Sequence, residues 1–492
     1  MIRTLSTLIF LLSVPTLAIA QLGQTDFPNS GSEAAQEPFL EGLLLLHSFE
    51  YDDAQTAFQK AQTVDPDFAM AYWGEAMTYN KPLWLREDLE AARGALERLG
   101  ATPEERLAKA PTEREKGYLQ AVEILYGEGE KIDRDLAYAD AMDDVMKRFP
   151  DDLDAASFYA LALLGTCHDE RDTAVYMRAA AVVEEVFAKN PNHPGAAHYL
   201  IHSYDDPVHA PLGLRAAHVY AGIAPDAVHA LHMPSHIFLA LGMWDETVAS
   251  NIDSFVASER RRDRLGKERF EHDYHSLSWL HYALLQQGRF EEARKRLEIF
   301  LADARDFDEQ QPHAGAASMW ATYVIESKTR DLPPPDVNME YLSANNLAAF
   351  AYAKGWLALQ DGDVDKAKQE LHDLRQRLNT GATAETEQHC ATSYAPVETT
   401  SAQILEAGLA ALIQLREGAT EDALAKLEAA TVLEETLPFG AGPADPIKPS
   451  FEMYGEALLE LGRSDDARRQ FEKALARNPK RAHALAGLAA SF

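Results

Sequence analysis

The feature that most constrains this chain is a frame of small, large and aromatic residues that returns along it. Gly42, Leu45, Tyr51, Ala54, Phe58, Ala61 and Pro66 form the first clear copy, and Gly455, Leu458, Gly462, Ala467, Phe471, Ala474 and Pro479 the cleanest. Between them lie Leu277, Leu280, Leu284, Gly288, Phe290, Ala293 and Leu297, then Gly355, Ala358, Gly362, Val364, Ala367 and Leu371. Ala411, Gly418, Ala423, Leu427 and Ala430 follow it more loosely. Small residues suit places where the two helices of a hairpin approach closely, large ones fill the gap, and proline ends the second helix. Alternating β-branched runs bounded by turns are almost absent, so the expected fold class is all-α.

These offsets are those of the tetratricopeptide repeat, and the chain resembles that family. The resemblance implies a tetratricopeptide-like α-solenoid, a right-handed superhelix of antiparallel helix pairs. The first helix of each pair would line a concave face where a peptide or protein ligand binds. The frame is interrupted by a charged insertion from Lys81 to Pro111, by long stretches at Asn379–Ser401 and Thr436–Pro449, and by Pro333-Pro334-Pro335. The expected division is a signal peptide at 1–20, a loose leader at 21–36 and an N-terminal helical-repeat region at 37–330 with a histidine-rich middle. A Pro-rich linker at 331–340 and a C-terminal helical-repeat region at 341–492 follow. If the two halves fold back on each other, the Thr436–Pro449 loop closes the groove over the histidines.

Arg3, the apolar run Leu5 to Leu17 and the small-x-small site Ala18-Ile19-Ala20 read as a secretory signal cut to leave Gln21. That predicts an exported, periplasmic or extracellular protein, and no later run is long and apolar enough to span a membrane. A formal net charge of −32 argues against nucleic acid or anionic membrane as partner, since both need clustered Lys and Arg. The two cysteines, Cys167 and Cys390, allow one long-range bridge or two separate thiols. Cys167-His168 and His389-Cys390 are also soft ligand pairs. HExxH, GxSxG, P-loop and GxGxxG patterns are all missing, which leaves no recognisable catalytic grammar.

Histidine is where the chemistry gathers. From His193 to Phe238 the chain carries eight of its seventeen histidines, including His198-x-x-x-His202 and His229-x-x-His232-x-x-x-His236. Residues three or four apart share a helix face. With Gly242-Met243-Trp244 taken as a turn within a repeat, Leu231–Leu241 becomes a first helix bearing His232 and His236. Gly195–Tyr204 becomes the one before it, bearing His198 and His202, and His275 opens the one after. Neighbouring helices lie about 8–10 Å apart, so imidazoles from successive helices can converge on one ion. The candidate metal ligands are therefore His198, His202, His232 and His236, with His275 as an alternate or extra ligand. The ion expected of such a set is Zn, Cu or Fe.

Asp205, Asp206, Asp273 and Glu75 are candidates to orient the rings or add oxygen. His193, His209, His218 and His229 fall off those faces or into turns. His209, His218, His313, His372 and His483 read as hydrogen-bonded or exposed. Tyr199, Tyr204, Trp244, Trp279 and Tyr282 read as packing.

The runs Ala197–His202, Ala230–Phe238 and Phe68–Met77 further resemble those of exported bacterial tetratricopeptide-repeat proteins. That likeness implies architecture and bacterial export and adds no reaction. The expected function is an exported protein- or peptide-binding scaffold with a histidine-lined, metal-binding concave pocket. The alternative is a metal-dependent periplasmic enzyme, oxidative or hydrolytic, using the same histidines.

Overall fold

The computed structural model describes residues 21–169, 171–267, 272–381 and 395–492. The expected signal segment, and Cys390 with His389, lie outside the described residues; Cys167 is buried. The described chain is all-α, a solenoid of helix pairs in which each helix packs chiefly on its sequence neighbours. The strands among the described residues are a two-residue antiparallel ladder, Asn80–Lys81 with Arg86–Glu87. No helix of the described residues is long and apolar enough to cross a membrane.

The frame works as its residue sizes require. Helices Glu33–His47 and Tyr51–Val64 form the first pair, and Ala69–Thr78 packs on the second of them. Phe58 is fully buried between all three. A Cβ added at Gly42 would sit 2.9 Å from its ring, and one at Gly74 only 2.4 Å away. The last repeat repeats the device, with Phe471 against Gly455 at 2.8 Å and Gly487 at 2.3 Å. The turn glycines Gly288, Gly362, Gly418 and Gly462 all have positive φ, from 68° to 81°. There a Cβ would strain the reversal between the paired helices.

Three expectations about organisation change. Residues 21–32 are packed rather than loose, because their apolar side chains find a core and their backbone finds partners. Phe27 is buried against Phe39, Trp73 and Tyr118, with ring centroids 5.3–6.0 Å away. The Gln24 N–H donates to Asn192 O at 2.9 Å, and Thr25 Oγ1 donates to Asp154 at 2.7 Å. The first helix then begins at Glu33. The hydrophobic interior divides between Ala240 and Val248, not at Pro333. Helix Gln310–Ser327 packs directly on Ala344–Gln360 across the proline run, and Trp320 Nε1 donates to Leu332 O at 3.2 Å.

The C-terminal end also folds back onto the middle of the chain. Trp244 Nε1 donates to Lys480 O at 3.2 Å, and the Ala482 N–H donates to Gln286 Oε1 at 2.9 Å. Arg481, wholly buried, ties this return together. It donates to Tyr282 Oη at 2.9 Å, to Ile447 O at 3.1 Å and to Glu452 at 2.5 Å, and it pairs with Glu326.

Breaking a buried ion pair strands the remaining charge, at a cost of about 3–5 kcal/mol, whereas an exposed pair is worth about 0–1 kcal/mol. Arg481→Ala is therefore expected to lower the urea midpoint strongly, and Arg469→Ala, in the exposed pair with Asp466, to leave it nearly unchanged. Equal effects of the two substitutions would contradict this account of the fold-back.

Candidate metal centre

Three segments deliver the histidines. Helix Pro194–Tyr204 starts at His193, whose Nδ1 accepts the Ala196 N–H at 3.2 Å, and carries His198 and His202 one turn apart. The second segment is split: Pro234 supplies no N–H, so Val228–His232 and Pro234–Ala240 are separate helices. His229 and His232 lie on the first and His236 on the second. Helix Tyr274–Gln286 is capped by Asp273, which accepts the Ser276 N–H at 3.1 Å, and His275 stands in its first turn.

The structure brings the five sequence candidates into one region and adds His229, but as two groups, His198–His202–His229 and His232–His236–His275, rather than around the single point expected of one ion. Ring centroids of His198 and His202 are 4.9 Å apart, His202 and His236 5.3 Å, His232 and His236 5.1 Å, and His232 and His275 4.4 Å. His229 lies 5.0 Å from His198. His198, His202, His232 and His236 are buried, while His229 and His275 are partly exposed.

Hydrogen bonds fix the ring orientation. His198 Nδ1 meets His47 O at 2.7 Å. His202 and His236 Nδ1 both meet Asp205 Oδ2, at 3.3 and 3.1 Å. His232 Nδ1 meets Asn251 Oδ1 at 2.7 Å, and Asn251 Nδ2 donates to Thr247 O at 2.8 Å, which sets that amide's orientation. Each of these partners accepts, so each Nδ1 carries a proton, and on a neutral ring that leaves Nε2 as the bare lone pair. The Nε2 atoms of His198, His202 and His229 are buried without a hydrogen-bond partner. His232 Nε2 and His236 Nε2 face each other 3.2 Å apart. Two lone pairs at that distance repel unless a proton or a cation lies between them.

Burial disfavours a proton on His198, His202, His229 and His232. Burial, then neighbouring imidazoles, pushes the pKa values of His198 and His229 well below 6.5. Burial and His236 do the same to His232. Burial also lowers His202, against the opposing pull of Asp205. For Asp205, burial alone would raise the pKa, but the Arg171 guanidinium at 2.6 Å and the two imidazole donors outweigh it, holding the carboxyl far below its usual range. Asp205 thus remains an anion that orients two rings, the usual partner of a metal-bound histidine. Ligand bonds of 2.0–2.1 Å at tetrahedral angles put nitrogens about 3.3 Å apart, close to the His232–His236 separation. The donor set fits Zn, Cu or Fe.

His229, His232 and His275 open into a cleft of ≈ 490 Å³. Trp84, brought there by the charged insertion, and Glu50 stand on its walls. Burial raises the Glu50 carboxyl to about 7, although it accepts the His229 N–H at 2.9 Å. Beyond His275 and Gln311 the groove continues into a second lobe of ≈ 320 Å³, lined by Trp279, Tyr282 and the loop residues Gly440–Asp445. Trp279 sits 4.5 Å from the His236 ring, and a Cβ at Gly442 would lie 3.0 Å from Trp279. With the C-terminus folded back, the Thr436–Pro449 loop does flank the histidines.

Other candidates are placed elsewhere. Glu75 is buried against Gln59 and Gln62 and paired with Arg98, so it belongs to the early repeats. Asp206 pairs with His209 at 2.8 Å and with Arg171 at 3.3 Å, so it steadies the arginine that holds Asp205. Asp273 serves as a helix cap. His229, expected in a turn before a helix starting at Leu231, lies within a helix that begins at Val228. Its three-residue spacing from His232 was the signal available.

A second buried cluster, His47, Asp154 and His193, has a structural role. Asp154 is occupied by His47 at 2.8 Å, Thr25 at 2.7 Å and His193 at 3.3 Å.

Residues 453–492 match the family model for the tetratricopeptide repeat. The earlier helix pairs are built on the same small-against-aromatic frame as that matched segment. Among solved structures it is similar to the APC/C hetero-tetramer Cut9-Hcn1, at 10% identity over 95% of this chain and 78% of that one, with a TM-score of 0.37. It is also similar to yeast Tom70, at 12% identity over 93% and 94% of the two chains, TM-score 0.33. The human IFIT1 dimer with m7Gppp-AAAA follows at 11% identity, 92% and 90% coverage, TM-score 0.37. No characterised protein matches the chain by sequence.

The lowered imidazole pKa values set the sign of a pH effect. Below 6.5 the unfolded chain takes up protons that folded His198 and His232 refuse. Taken singly, each ring's contribution to stability is therefore present above 6.5 and lost as pH falls through it. In metal-free protein with histidine-selective ¹⁵N labelling, His198 and His232 are expected as neutral Nδ1–H tautomers at pH 6. Imidazolium signals for both at that pH would overturn this reading.

Proposed function

We propose that this tetratricopeptide-repeat protein is exported and that its groove is a binding site built around a transition-metal centre, where a peptide or protein segment is received. What carries the reading is the 3.2 Å approach of His232 Nε2 and His236 Nε2, both rings held by their other nitrogen so that these two Nε2 atoms converge. His275 completes a trio whose ligand atoms all lie within 4.8 Å of one another. Three protein ligands beside a cleft leave a fourth position for a ligand from the groove. Tetratricopeptide arrays bind through such concave surfaces.

Glu50 favours a second reading, a metal-dependent enzyme of hydrolytic type. A carboxyl titrating at about 7 on the cleft wall is suited to accept or return a proton near neutral pH. A bound ion would supply Lewis-acid activation beside it. The chain's own part would be to hold that ion, position the ligand between Trp84 and His275, and move the proton at the Glu50 carboxylate.

Elemental analysis of tag-free protein purified from the exported fraction is expected to find a first-row transition metal. His232→Ala/His236→Ala should lower its content at least tenfold with the helical circular dichroism unchanged. Full metal content in that variant would remove the proposed site. N-terminal sequencing of the same material is expected to begin at Gln21; a chain retaining Met1 would count against export.

A further inference from the structure

The six converging histidines do not form one cluster. They fall into two trios, His198–His202–His229 and His232–His236–His275, and within each the ligand atoms lie within 4.8 Å of one another. An ion bonded at 2.0–2.1 Å keeps its ligands within about 4.2 Å of each other, so a single ion cannot serve all six rings. The trio containing His198 stands on its own observation. Its three Nε2 atoms are all buried and all without a hydrogen-bond partner. A buried nitrogen without a partner is costly, and three in one group are hard to account for as packing.

Asp205 links the trios, accepting the Nδ1–H of His202 from one and of His236 from the other through the same oxygen. Its other oxygen is taken by Arg171 at 2.6 Å. Asp205 is thereby an orienting group common to both trios rather than a ligand itself. The two rings it aims lie 5.3 Å apart, so the two sites adjoin.

From this geometry we infer that the groove holds two transition-metal ions side by side, one on each trio, with Asp205 as their shared outer anchor. The inference rests on the metal-binding reading above and extends it from one ion to two. His229 of one trio and His232 and His275 of the other line the same cleft, so both ions border one opening.

The test loads metal-free, tag-free protein with Zn²⁺, removes loose ion by gel filtration and measures zinc per chain. Two equivalents are expected in the wild type and one each in His229→Ala and His275→Ala, both partly exposed positions whose loss spares the core. Loading with Cu²⁺ adds a second readout: the wild-type electron paramagnetic resonance signal should be dipole-broadened, and each single variant should give an isolated-ion spectrum. One equivalent in the wild type overturns the second ion while leaving the metal centre standing, and no zinc overturns both. Two equivalents retained in both variants, or both ions lost together from a folded variant, also overturns the assignment.

Discussion

The spacing of this solenoid depends on aromatic rings pressed against glycine. Phe58 between Gly42 and Gly74, and Phe471 between Gly455 and Gly487, leave no room for one further carbon. Because the contact recurs from one end of the chain to the other, neighbouring helices are held at a fixed separation. That separation lets side chains from three successive helix layers meet. Without it, the histidines of 194–204, 228–240 and 274–286 would be a compositional oddity.

What meets there is costly to the fold. Burying several imidazoles with bare nitrogens facing one another gives up hydrogen bonds that water would supply, and proteins tolerate such defects mainly at working sites. The surrounding structure holds the rings in place regardless. Asp205 is kept charged by Arg171, Arg171 is steadied by Asp206, and Asn251 is fixed by the Thr247 carbonyl. These anchors lie outside the trios, so the rings are positioned by protein contacts alone. The neighbouring His47–Asp154–His193 cluster shows the contrast: its carboxylate is fully partnered by protein, and it ties the leader to the repeats.

Enclosure comes from the parts that break the repeat. The insertion after Thr78 carries Trp84 to one side of the histidines, and the loop before Ser450 sets Gly440–Asp445 on the other. Arg481 holds that second wall, joining Glu326, Glu452 and Tyr282 across long sequence separations. An open array would present the histidines on a broad surface; this one presents them in a two-lobed groove.

The fold was legible in the sequence because helix pairing is local. Residue size at fixed offsets decides which faces approach, and the turn glycines mark each reversal. His198, His202, His232 and His236 were legible for the same reason, since four-residue spacing on a helix is a local fact. His229 is less legible, because the helix starts at Val228, ahead of the repeat frame, and Pro234 breaks it. The proline run misled as a boundary because stiffness in the chain says nothing about whether the flanking helices touch. Sequence alone determined the all-α repeat and the histidine-bearing faces. Only tertiary structure decided the proton on each Nδ1, the division into two trios, the role of Asp205 and the closure by Arg481. Those depend on residues brought together across distances in the chain that no local pattern records.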